Sequence, residues 1–83
     1  MDKKILNRVL SGLGDTNVQF KDLTRLLNHL GFSVRIKGDH HIYYREGLEE
    51  IINLQSLKDG KAKAYQVKQV RMIILKYRLH KGV

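Results

Sequence analysis

The sequence predicts an α+β domain: a three-stranded antiparallel sheet with helices on one face, in the order α-α-β-β-β-α. Three observations predict it. Apolar residues recur at helical spacing ahead of Gly31, the period falls to two from Phe32, and helical spacing returns near Ala64. The chain has 83 residues, which make one domain, 1–83, with a single modest core; a deep substrate cavity is not expected, and any site should be shallow and near the surface.

Each element has its own signal. Ile5, Leu6, Val9 and Leu10 share one face of a short first helix that Gly12 and Gly14 terminate. Phe20, Leu23, Leu27 and Leu30, with Leu26 widening the stripe, mark a second helix. Gln19 is its expected N-cap, with Asp22 placed as in a capping box, Val18 stapling onto Leu23, and Gly31 as the stop. Phe32, Val34 and Ile36 then alternate with Ser33, Arg35 and Lys37, the pattern of a half-buried strand. Gly38-Asp39 supplies a turn, and His40 to Arg45 the returning strand of a hairpin. A third strand is expected over Glu50 to Leu54, and a polar segment, QSLKDGKAK, leads to a last helix over about Ala64 to Leu79. Val67, Val70, Ile73, Ile74 and Tyr77 form that helix's core stripe. Met72, Leu75 and Leu79 point the other way and call for a second partner, the N-terminal helix in preference to another chain.

The charge is uneven. Lys plus Arg number 16 against 8 Asp plus Glu, a net +8. Residues 1–57 carry only +1 of this, while residues 58–83 carry eight basic side chains against Asp59 alone, net +7. A stretch of that kind seeks a polyanion, because neutralising phosphates releases condensed counterions. No apolar run approaches the roughly 20 residues of a membrane span, and the N-terminus MDKKILNRVLSG lacks the apolar segment of a secretory signal. Cysteine is absent, in keeping with a reducing compartment. A cytoplasmic protein with no membrane contact is the expectation.

The chemistry available is acid–base. His40 and His41 are adjacent on a strand and point to opposite faces, while His29 and His80 lie elsewhere, so no metal site is expected. No phosphate-binding glycine loop, dinucleotide fingerprint or nucleophile elbow is present, and no cofactor is expected. A two-residue turn at Gly38-Asp39 pairs Lys37 with His40 and turns both to solvent, with His41 and Tyr43 toward the helices; a bulge or a longer loop would reverse this. In the first register His40 is the candidate general acid or base. Lys61 and Lys63 precede the last helix and Lys68 and Arg71 lie on its first turns, where free N–H groups and the helix dipole favour phosphate. With Lys37, these four are the candidate RNA-binding residues.

The run GFSVRIKGDHHIYYREGLEEIINLQ, followed by KAKAYQVKQVRMIILKY, resembles the HicA family of small toxins of type II toxin–antitoxin systems, in a longer form with an added N-terminal helix. The marker is a Gly-Ser-His turn after a Gly-Phe that closes a helix, matched by Gly31-Phe32 and by Gly38-Asp39-His40. The resemblance implies a fold like a double-stranded RNA-binding domain over residues 18–80, with 1–17 as the extension, and such domains also place lysines at the start of their last helix. It further implies a metal-independent endoribonuclease that cleaves mRNA and blocks translation, with a HicB-type antitoxin covering the site. The family's catalytic histidine falls on His40, as general base on a ribose 2′-OH or general acid on the leaving oxygen. Gly38 and Asp39 support the site. Asp39 stands where the family has serine: a carboxylate there can orient the ring and raise its pKa, or repel the phosphate. A non-catalytic RNA-binding module of the same fold is the alternative. Ala64 replaces a common proline, a change that suits helix initiation.

Overall fold

A computed structural model describes residues 3–82; Met1, Asp2 and Val83, at the ends of the expected domain, lie outside the described residues. Helix α1, Lys3–Ser11, buries Leu6 and Val9 completely and half-buries Ile5 and Leu10. It is therefore part of the core, whereas the resemblance assigns residues 1–17 to an added extension. A one-turn 3₁₀ helix, Asp15–Asn17, leads to α2, Phe20–His29.

Leu23, Leu26 and Leu27 of α2 are wholly buried, and Leu30 nearly so. The capping box does not form: Gln19 makes no side-chain cap bond, and its backbone carbonyl accepts from the Asp22 and Leu23 N–H groups. Glutamine has one methylene more than a good capping residue, and the entry to α2 is fixed by tertiary pairing instead. Phe20 N–H donates to the Gly60 carbonyl, and Gln19 bridges Lys61. The other end follows expectation. Gly31 takes a left-handed φ of 88°, Phe32 N–H reaches back to the Leu27 carbonyl and Gly31 N–H to that of Asn28, which together make a Schellman cap.

Strands β1 (Ser33–Lys37), β2 (His40–Tyr44) and β3 (Ile52–Leu54) form an antiparallel sheet in the order β1-β2-β3. Lys37 pairs with His40, so the turn has two residues, Gly38 and Asp39, as the hairpin reading requires. Gly38 has φ 63° while Asp39 stays on the negative side, the pattern of a type II′ turn with glycine first. The pairs His41↔Leu54 and Tyr43↔Ile52 line the face under the helices, and Tyr43, Ile52 and Leu54 are buried there.

Two strand expectations are corrected. β3 begins at Ile52, with Ile51 left 60% exposed. More consequentially, β1 is not half-buried: Phe32 enters the core just ahead of the strand, but all five strand residues are exposed, with Val34 at 39% and Ile36 at 62%. Alternation places Val34 and Ile36 on the helical face, yet the core closes over β2 and β3, and the edge strand overhangs it.

Helix α3, Ala64–Tyr77, buries Val67, Val70, Ile73 and Ile74 and half-buries Tyr77, as its stripe predicts. It ends before Leu79, at Arg78, which caps it in the left-handed region (φ 54°). α1 packs beside it, but of the three outward apolar residues only Leu79 joins the core; Met72 and Leu75 remain exposed. No helix among the described residues is long and apolar enough to cross a membrane.

Candidate active site

Strand alternation puts His40 on the sheet face opposite the core, and the register places Lys37 directly beside it. Asn53, on the neighbouring strand, shares that face because Ile52 and Leu54 on either side of it point inward. Its side chain meets the ring: His40 Nδ1 lies 3.1 Å from Asn53 Oδ1. An amide oxygen at that position takes the Nδ1 proton and leaves the Nε2 lone pair of the neutral ring free. On the other side, Asp39 Oδ1 is 3.8 Å from Nε2, long for a hydrogen bond but close enough to pair with a protonated imidazole. The histidine side chain is 47% exposed, open to a ligand from solvent.

Asp39 is itself held in place. Gln55 Nε2 donates to its Oδ2 at 2.7 Å, and Lys63 Nζ donates to Gln55 Oε1 at 3.2 Å. A polar chain therefore runs from the entrance of α3 through Gln55 and Asp39 to His40, and on to Asn53. The Gln55 hydrogen bond, first, then the carboxylate's own backbone contact, and the nearby His40 and the charge of Lys63 hold the Asp39 carboxyl below its usual pKa, so it is an anion at neutral pH.

Gln66 fixes the helix against the sheet. Its buried side chain donates from Nε2 to the Asn53 carbonyl and accepts from Gln55 N–H at Oε1, bonding β3 as a neighbouring strand would. His40, Asn53, Gln55, Tyr65 and Gln66 line a shallow cleft of about 270 Å³. Tyr65, 66% exposed on the first turn of α3, stands at its rim.

The expected phosphate-binding residues separate into three groups. Lys37 and Lys63 lie with His40, one by register and the other through Gln55. Lys61 stands ahead of α3, bridged to Gln19, and Lys68 lies exposed on its first turns, neither among the cleft's lining. Arg71 is not brought to the cleft. Its guanidinium grips both carboxylate oxygens of Asp15 at 2.9 and 3.0 Å and donates to the Val9 carbonyl, tying α3 to α1 and the 3₁₀ turn. His41 turns inward, edge-on to Phe20 with ring centroids 5.0 Å apart, and is no competitor to His40. Among the described residues no group of three His, Cys, Asp or Glu side chains is placed to hold a metal ion.

Asn53, Gln55, Tyr65 and Gln66 were not singled out from the sequence. Two had a signal: Asn53 alternates with Ile52 and Leu54, and Gln66 falls within the buried stripe of α3 as a polar residue that must find partners. Comparison with protein-family models, curated proteins and solved structures gives no match to this chain.

Proposed function

We propose that the chain is a HicA-type toxin: a cytoplasmic, metal-independent endoribonuclease with a fold like a double-stranded RNA-binding domain, cleaving mRNA and restrained by a HicB-type antitoxin. The observation that carries the reading is the state of His40. Its Nδ1 lies 3.1 Å from Asn53 Oδ1, which leaves Nε2 as the nitrogen able to take a proton, and the residue lines an open cleft, the disposition of a general base.

The chemistry follows from the atoms present. Nε2 accepts the proton of a ribose 2′-OH, the 2′-oxygen bonds to the adjacent phosphorus, and the P–O5′ bond breaks, leaving a 2′,3′-cyclic phosphate. The departing 5′-oxygen takes up a proton, which the imidazolium or solvent supplies. Asp39 steadies the imidazolium, and Lys37 and Lys63 lie where charge on the phosphorane would be offset. Lys61 and Lys68 extend the phosphate path along α3, and Tyr65 offers an exposed ring on which a base can stack.

A second reading, a non-catalytic RNA-binding module, is favoured by Asp39, an anion held 3.8 Å from the reactive nitrogen where phosphate must approach. Inducing the protein and its His40→Ala variant in cells separates the two. The nuclease reading expects growth arrest and mRNA loss with the parent and neither with the variant. Equal arrest and mRNA loss from both would refute the catalytic role of His40.

A further inference from the structure

The exposed edge of the sheet has chemistry of its own. β1 is the first strand in the order β1-β2-β3, and among the described residues no backbone hydrogen bond reaches Ser33–Lys37 from outside the hairpin. In a hairpin closed by a two-residue turn, the pair flanking the turn, Lys37 and His40, is hydrogen-bonded and the ladder alternates from there. Ser33, Arg35 and Lys37 thus direct their backbone groups at β2, whereas Val34 and Ile36 direct theirs to the open side. The strand has no proline, and all five of its residues pair with β2 in unbroken register. Among the described residues no bulge, proline or covering element blocks this edge; the one guard it carries is charge, Arg35 and Lys37, which turns away a cationic strand and not an acidic one.

Its two faces differ. Toward the helices it shows Val34 and Ile36, exposed although apolar; on the opposite face it shows Arg35 and Lys37. A strand added here would meet Val34 and Ile36 on one face and Ser33, Arg35 and Lys37 on the other.

We propose that β1 is the docking edge for an extended segment of a partner protein that alternates apolar and acidic residues and adds as a fourth strand. Charge selects that partner over a second copy of this chain. Antiparallel self-pairing centred on the strand would set Arg35 against Arg35 of the second copy, on molecules that each carry +8. The same two cations attract a strand bearing Glu or Asp at alternate positions. Backbone bonds to Val34 and Ile36 supply sequence-independent affinity, and the alternation supplies specificity. The proposal rests on the strand's geometry and not on the nuclease reading.

The probe is a blocked seven-residue peptide alternating glutamate with valine or isoleucine, titrated into the intact protein and followed by NMR. Saturable shifts centred on the amides of Val34 and Ile36 are expected, and a peptide with lysine in place of glutamate should bind at least tenfold more weakly. Ile36→Pro removes an outward-facing N–H while leaving the bonds to β2, a position where a strand tolerates proline. It should weaken the acidic peptide at least tenfold with an unchanged far-UV spectrum. Should that variant fail to fold, Arg35→Glu provides the test: it should lose the acidic peptide and gain the basic one. Shifts that map away from β1, undiminished binding to Ile36→Pro, or indifference of Arg35→Glu to peptide charge would each overturn the proposal. So would a dimer of the free protein that Ile36→Pro dissociates, which would assign the edge to a second copy.

Discussion

Gln66 shows how much one polar residue can decide in a small core. Among the described residues it is the buried polar side chain in an otherwise apolar core, and both ends of its amide are used on the backbone of Asn53 and Gln55. A leucine there would keep the volume and lose both bonds, leaving the Gln55 N–H and the Asn53 carbonyl without their protein partners. Gln66→Leu should lower unfolding stability by about 1–3 kcal/mol, measured by urea denaturation. A change within about 0.5 kcal/mol would mean that water replaces the amide without loss. The same logic explains what could be read of the site in advance. The outward direction of His40 followed from the turn length and the period of two, and Asn53 was within reach of the same rule. Gln55 was not: its bonds to Asp39, 16 positions away, and to Lys63 depend on side-chain conformations that no local pattern encodes.

Elements in this molecule are held together by a few side-chain brackets as well as by the core. One joins the approach to β3 with the last turn of α3: Lys76 Nζ donates to Glu50 Oε2 at 2.7 Å, and the Tyr77 hydroxyl donates to Oε1. These two hydrogen bonds, that from Lys76 first, hold the Glu50 carboxyl below its ordinary value of 4.5. A carboxyl depressed on folding contributes stability that is fully present above its unfolded pKa and is lost as pH falls through the folded one. The bracket should therefore be intact at neutral pH and fail on acidification below about 4.5. Glu50→Gln should melt lower than the parent at pH 7, and the gap should narrow as pH drops below 4; a gap constant from pH 7 to 3 would exclude the carboxylate as its cause. At the same scale, the helices and the hairpin register were legible because apolar spacing and the Gly-containing turn are local. The exposure of β1 was not. Alternation tells which residues share a face, but how far the helices reach across that face depends on the sheet order and the packing of all three.

For the whole molecule, the question is which of its positive charges are free to meet a polyanion. Of the +7 carried by residues 58–83, Lys76 is bracketed to Glu50 and Arg71 to Asp15, while Lys61 and Lys63 stand just ahead of α3, Lys63 bonded to Gln55 at the cleft, and Lys68 is exposed in its first turns. The sequence grouped Arg71 with these lysines because all four lie just ahead of the last helix or on its first turns, and could not show that Asp15, 56 residues earlier, would claim its guanidinium. The two kinds of cation should therefore separate in experiment. Arg71→Lys keeps the charge but cannot hold both oxygens of Asp15 and the Val9 carbonyl in the same planar fork, so it should cost about 1–2 kcal/mol of stability and leave the salt dependence of RNA binding unchanged. Replacing Lys61, Lys63 and Lys68 with glutamine should do the reverse. Stability should scarcely move, while the slope of log affinity against log salt should flatten by about 0.7–0.9 for each lysine that had held a phosphate. Measuring RNA affinity from low to moderate salt for the parent and both variants decides the matter. A slope that Arg71→Lys flattens as much as the lysine replacements would place Arg71 back at the RNA, and one that neither alters would move the phosphate path off α3 altogether.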